Sequence, residues 1–192
     1  MYRAVTVKVL ERGVSPDDAA VISKLIASTT VELQRSGSFL RVLLDGKDVT
    51  DRIRDSDVTR AVSAVSRIRN VREAMVRQQR ALSASQGVVL EGRDIGTVVF
   101  PNADLKIFLV ASLDARAERR RKELEQRGID TPLETLGSEI AERDRLDSSR
   151  EDSPLIPAAD AIELDTSHMT IEEQVEFVVN KTKEILEKSN RG

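Results

Sequence analysis

Two glycines bracket an arginine and an aspartate in Glu91-Gly92-Arg93-Asp94-Ile95-Gly96, and Thr97-Val98-Val99-Phe100-Pro101 follows. A guanidinium neutralises an anion and a carboxylate accepts hydrogen bonds from a ligand's donors, so the pair suits a small molecule carrying both features. The apolar run Val88-Val89-Leu90 just before it predicts a buried strand, which puts the pair at a strand end, where parallel α/β sheets carry their ligands. Charge also collects in residues 132–150, where Leu133, Leu136, Ile140, Arg143, Asp147 and Arg150 recur at spacings that share one helix face. The face begins apolar and ends charged. A cleft holding an anion explains it, and so does a helix outrunning its core, with Arg143 and Asp147 as an i,i+4 pair worth a few tenths of a kcal/mol. A third concentration is Arg116, Arg119, Arg120 and Arg121, mixed with Glu118, Glu123 and Glu125. This segment reads either as a solvated surface or as a lid whose guanidinium forks close on anionic oxygens.

Composition limits the partners. The 192 residues carry a formal net charge of −3 with a pI near 5.4, which disfavours a general polyanion binder and leaves local arginine for a small anionic ligand. There is no cysteine, so no disulfide framework or thiolate metal site is expected, and His168, the one histidine, cannot build a zinc site alone. It reads as surface structure in the turn before the last helix. No metal site, nucleic-acid partner or membrane span is expected, and no signal-peptide pattern opens the chain, which predicts a cytoplasmic protein.

The elements that must position these residues alternate between helical and strand patterns, as in an α/β fold. A helix is expected from Met1 to a C′ glycine at Gly13, then one over residues 16–27 with Ser15 as N-cap and Pro16 at N1. Thr29 to Leu33 and Phe39 to Asp45, bracketed by Ser36-Gly37 and Asp45-Gly46, read as a β hairpin. Val58, Val62 and Val65 predict a helix over 56–67, and Asn70 to Glu73 starts another that reaches about Leu82. Residues 105–110 and, more weakly, 161–164 read as further strands buried on both faces. Between them lie helices at 113–126, almost without an apolar stripe, and from Pro132, with Thr131 as N-cap. Thr170-Ile171-Glu172-Glu173 is a capping box before a closing helix with Ile171, Val175, Val178 and Ile185 on its apolar face.

Several segments together resemble bacterial cytidylate kinase, in order along the chain. They are Tyr2-Arg3-Ala4-Val5, Val71-Arg72-Glu73-Ala74, Gly92 to Pro101, Lys106-Ile107-Phe108-Leu109, Glu142-Arg143-Asp144 with Asp147 and Arg150, and Pro157 to Ala161. The resemblance implies a nucleoside monophosphate kinase-like parallel sheet, with a small antiparallel β insert and a helical lid. It implies a core of residues 1–28 and 83–192, a lid at about 113–131 and a monophosphate-binding insert at 29–82, in a single compact monomer. It further implies transfer of the ATP γ-phosphoryl group to CMP or dCMP, with Mg²⁺. By the same resemblance Ser63, Arg72 and Asp94 contact cytosine, Arg3, Arg93 and Arg150 contact phosphate, Arg143 and Asp147 serve the phosphate and sugar sides, and Arg116, Arg119 and Arg120 belong to the lid. Arg93, Arg143 and Arg150 are the expected catalytic groups, since phosphoryl transfer asks mainly for positioning and charge neutralisation.

One departure from the family pattern is specific. The resemblance implies a strand, a glycine-rich phosphate loop ending in Gly-Lys-Ser/Thr, a helix and a second strand ahead of the segment matched by Met1, and none of these is present in the 192 residues. Gly46-Lys47 is followed by Asp48 and lies on the hairpin, so it reads as a turn. The expectation is therefore an incomplete sheet lacking its first two strands, with Met1 an internal methionine of a longer enzyme and ATP·Mg²⁺ not properly held by the chain as written. The alternative function is a remnant or monophosphate-binding module without kinase activity.

Overall fold

Six consecutive residues of the first helix, Ala4 to Val9, are buried, which explains why that helix shows no one-sided apolar stripe: it is covered all round. The computed structural model describes residues 1–37, 39–82, 87–149 and 153–189. The chain forms two compact units, Met1–Leu90 and Glu91–Gly192.

In the first unit, α1 (Tyr2–Glu11) packs against α2 (Ala19–Ile26), α3 (Ser56–Arg67) and the antiparallel sheet of β1 (Val31–Ser36), β2 (Phe39–Leu44) and β3 (Lys47–Asp48). α1 ends as expected. Gly13, at φ +64°, donates to the Leu10 carbonyl while Val14 N donates to Val9, a Schellman closure. The start of α2 differs from expectation by three residues. Ser15 and Asp18 close a turn through Asp18 N to Ser15 O at 3.0 Å, and Asp18 is the N-cap, accepting from Val21 N. Pro16 serves that turn, where its fixed φ fits the second position.

The hairpin pairs Val31 with Leu44 through Ser36 with Phe39, and a second turn pairs Leu44 with Lys47. Asp45 at φ +48° and Gly46 at φ +81° are the two central residues of that turn, so Gly46-Lys47 is a hairpin corner as anticipated. Val58, Val62 and Val65 turn α3 inward, and α4 (Arg69–Leu82) starts one residue before Asn70, too early for Asn70 to cap it.

The predicted strand at residues 88–90 does not form. That segment has no regular structure and no strand partner among the described residues, and Val89 is 95% exposed, because an apolar run becomes a strand only where a neighbouring edge accepts its hydrogen bonds.

The second unit holds a parallel pair, β4 (Ile107–Val110) and β5 (Ile162–Asp165), in register from Ile107–Ile162 to Val110–Asp165. With the antiparallel sheet of the first unit, this fits an α/β fold of the nucleoside monophosphate kinase kind. β4 is not buried on both faces as predicted. Leu109 is 58% exposed, since only β5 lies beside β4 among the described residues. α5 (Leu113–Glu125) buries only Ala117 and Leu124, and these meet Leu136 and Ile140 of α6 (Leu133–Ser148) in a small apolar cluster. Pro132, not Thr131, occupies the N-cap position of α6. Before α7 (Ile171–Ser189) the expected capping box is made in both directions: Thr170 N donates to Glu173 Oε2 at 2.7 Å, and Glu173 N to Thr170 Oγ1 at 3.2 Å. Of its apolar residues, Val178 and Ile185 are half-buried while Ile171 and Val175 are exposed.

Candidate functional site

In the first unit two arginines are held in different ways. Arg3, on the opening turn of α1, donates from Nη1 to the Ile53 carbonyl and to Thr59 Oγ1, both at 2.9 Å. Ile53 is placed by the turn Arg52–Arg54, which Arg52 clamps onto α3 with a two-pronged contact to Asp57 at 2.7 and 2.6 Å. This fork holds the Asp57 carboxyl at a pKa of about 2, below its ordinary 3.8. Arg72, at the start of α4, is only 5% exposed. Its Nη1 donates to the Ser66 carbonyl at 3.3 Å, and its guanidinium carbon lies 5.8 Å from the centroid of the Tyr2 ring. Ser66 Oγ in turn donates to the Ser63 carbonyl at 3.1 Å, so Ser63 and Arg72 are linked through one residue.

In the second unit, the Gly-Arg-Asp run enters a π-helical turn, Ile95–Val99, in place of the anticipated strand end. Val98 N donates to the Asp94 carbonyl at 2.9 Å, and Phe100 N to Ile95 at 2.7 Å. Such turns are rare and recur at functional sites. Gly92 leaves room for the Ile95 side chain, for a Cβ there would stand 2.8 Å from Ile95 Cγ1 and oblige that side chain to shift. The turn leaves Asp94 6% exposed and sets Arg93 between two carboxylates of α6. Arg93 Nε lies 3.5 Å from Asp147 Oδ2, and its Nη1 lies 3.9 Å from Asp144 Oδ1.

Two more guanidiniums join that cluster. Arg143 Nε is 3.9 Å from Asp147 Oδ2, and Arg116 Nη1 of α5 is 2.5 Å from Asp144 Oδ2. Asp147 is 1% exposed and its backbone carbonyl accepts from Leu155 N, so it is a fixed, buried centre, whereas Asp144 is partly exposed. Three guanidiniums against two carboxylates leave a positive excess suited to phosphoryl oxygens.

The other expected lid arginines do not converge there. Arg119 donates to the carbonyl and hydroxyl of Thr166, just beyond β5, and Arg120 pairs with Glu123 on the surface at 2.7 Å. Arg150 lies outside the described residues. His168 is exposed, as expected. Asp144 was missed as a site residue by the sequence reading. Its signal was there, since it stands three residues before Asp147, one helical turn away.

The resemblance also implies Mg²⁺, a cation held by one or two carboxylates together with substrate phosphates and water. Among the described residues no group of three or more His, Asp or Glu side chains could hold a metal ion, and Asp144 and Asp147 are already engaged with arginines. No helix among the described residues is long and apolar enough to cross a membrane.

The cytidylate kinase family model matches residues 1–184. The chain belongs to the cytidylate kinase family. It is 48% identical over 184 residues to a cytidylate kinase of Enterococcus faecalis, covering 96% of this chain and 81% of that one. A cytidylate kinase of Pelotomaculum thermopropionicum is 49% identical, covering 93% of this chain and 80% of its own length. A bifunctional pantoate ligase/cytidylate kinase of Synechococcus is 50% identical, with 96% of this chain matched to 38% of that protein. The Gly-Arg-Asp turn and the Arg143–Asp147 segment therefore belong to the matched part of a cytidylate kinase, and the family implies ATP as co-substrate.

Proposed function

We propose that this chain selects CMP or dCMP as the acceptor of the ATP γ-phosphoryl group, in pyrimidine nucleotide metabolism. The observation that carries the reading is the Gly92-Arg93-Asp94 run leading into the π turn Ile95–Val99, where Asp94 is buried and the adjacent Arg93 joins Arg116 and Arg143 around two carboxylates. A base reader and a phosphate clamp thus sit next to each other in sequence.

Cytosine presents an amino donor at N4 and acceptors at O2 and N3. Asp94 of the second unit has the chemistry to accept from N4, and Arg72 and Ser63 of the first unit carry donors of the kind that O2 and N3 require. Uracil turns an acceptor toward the position of N4, which leaves a buried carboxylate facing a lone pair. Sites built on such polar pairing discriminate by roughly 10⁴. Arg3, Arg93, Arg143 and Arg150 neutralise phosphate charge, and Asp147 fixes Arg93 and Arg143 from beneath and serves the sugar side. Arg116, Arg119 and Arg120 form the lid segment, of which Arg116 reaches the charge cluster. Such chemistry needs orientation and charge, so no protein nucleophile takes part.

A competition assay tests the reading. With γ-labelled ATP and equal CMP and UMP in one tube, whatever label is transferred is expected in CDP and not in UDP. Label shared equally between CDP and UDP would overturn the cytosine reading, and label in neither would return the chain to a monophosphate-binding module.

A further inference from the structure

We infer that Tyr2 is a positioning residue for base recognition, holding the Arg72 guanidinium in the orientation that selects cytosine. The inference rests on the proposal that Arg72 contacts the base.

Arg72 is a cation almost wholly withdrawn from water, and burial of that kind is costly without compensation. Contacts from two different helices help to compensate it. The Ser66 carbonyl of α3 accepts one hydrogen bond, at a rather long 3.3 Å, and the Tyr2 ring of α1 lies under the guanidinium carbon at 5.8 Å. The two do different work. A carbonyl occupies an N–H donor, whereas an aromatic face attracts the charge through its quadrupole and occupies none. For a residue that must donate to acceptors on a base, support from a ring is the arrangement that costs no donors. The ring also restricts how the planar guanidinium can rotate.

The support for Tyr2 is itself rigid. The helix that carries it is buried from Ala4 to Val9, and the Tyr2 carbonyl accepts from Thr6 Oγ1 at 3.0 Å. Consecutive residues of that turn thereby meet different demands. Tyr2 stabilises Arg72, while Arg3 is bound to Ile53 and Thr59.

The test compares Tyr2→Leu and Tyr2→Phe with the unaltered chain, by calorimetric titration with CMP, UMP and ribose 5-phosphate. Tyr2→Leu is expected to weaken CMP binding about tenfold, to narrow the gap between CMP and UMP, and to leave ribose 5-phosphate unchanged. Tyr2→Phe keeps the ring and is expected to keep the selectivity. Equal losses for CMP and ribose 5-phosphate in Tyr2→Leu, or unchanged CMP binding, would overturn the inference. Should Tyr2→Leu not fold, phenylalanines of increasing ring fluorination at position 2 preserve the shape while draining the ring face of negative charge. CMP affinity falling stepwise along that series supports the inference, and a flat series overturns it. If the unaltered chain binds ribose 5-phosphate but does not separate CMP from UMP, the base-recognition proposal fails and the inference falls with it. If only the variants fail to shift selectivity, the proposal stands and Tyr2 has no part in it.

Discussion

Arg116 of α5 and Asp144 of α6 share an ion pair of 2.5 Å, and the same carboxylate faces Arg93 at 3.9 Å. One aspartate therefore ties the arginine-rich helix to the Gly-Arg-Asp turn. Beneath the pair, Ala117 and Leu124 of α5 meet Leu136 and Ile140 of α6 in a small apolar cluster, so the ion pair adds a polar contact to a limited apolar one. We predict that Asp144→Asn increases amide hydrogen exchange across residues 113–125 while leaving exchange in α1 unchanged. Global stability should fall by less than about 1 kcal/mol, because the pair is partly exposed. Uniform exchange rates in variant and parent would count against this.

We predict that cytosine selection depends most on Asp94. Asp94→Ala is expected to weaken CMP by roughly 10²-fold or more and to bring CMP and UMP to similar affinities, as removal of a buried polar partner should. Asp94→Asn, which can present a donor, should favour UMP relative to the parent. Equilibrium titration of both variants reads this directly, and an undiminished preference for CMP in Asp94→Ala would exclude Asp94 as the reader.

The fork between Arg52 and Asp57 gives the first unit a defined acid response. Asp57 has a folded pKa of about 2 against an ordinary 3.8, so the fork's contribution is complete above the higher value and is lost as pH falls toward the lower one. A carboxyl carbon titration by NMR should place the Asp57 midpoint near 2, and Arg52→Gln should return it to the ordinary carboxylate range. A midpoint unmoved by that substitution would mean that the fork does not form in solution.

The corner between β2 and β3 predicts a backbone effect. Gly46 has φ +81°, a conformation that penalises any side chain, although nothing lies within 4 Å of where a Cβ would stand. Gly46→Ala should therefore cost about 1 kcal/mol in urea unfolding through backbone strain alone. An unchanged midpoint would show that the corner relaxes at no cost.

Local chemistry was legible in the sequence where it depends on near neighbours. The valines of α3, the Gly13 closure and the Thr170–Glu173 box each lie within a few residues, and each formed as expected. Starts of helices were less legible, because Ser15 and Asp18 are both competent caps and only the turn between them decides which is used. Residues 88–90 misled for a different reason: their apolar character is local, whereas the partner that makes a strand is not. The charge cluster lies between these cases. Arg143 and Asp147 are four apart on one helix and could be paired by eye, but Arg116 and Asp144 are 28 apart, and nothing in the run Arg116 to Arg121 marks which arginine turns toward α6. Arg119 turned instead to Thr166, 47 residues away.

We propose that this chain recognises cytosine on a nucleoside monophosphate. The most direct measurement is the equilibrium affinity of the unaltered chain for CMP and for UMP, by calorimetry under one set of conditions. CMP binding tighter than UMP by at least about 10²-fold is the predicted result, as expected when one base satisfies buried polar groups and the other leaves them unpaired. Equal affinities for the two would contradict it.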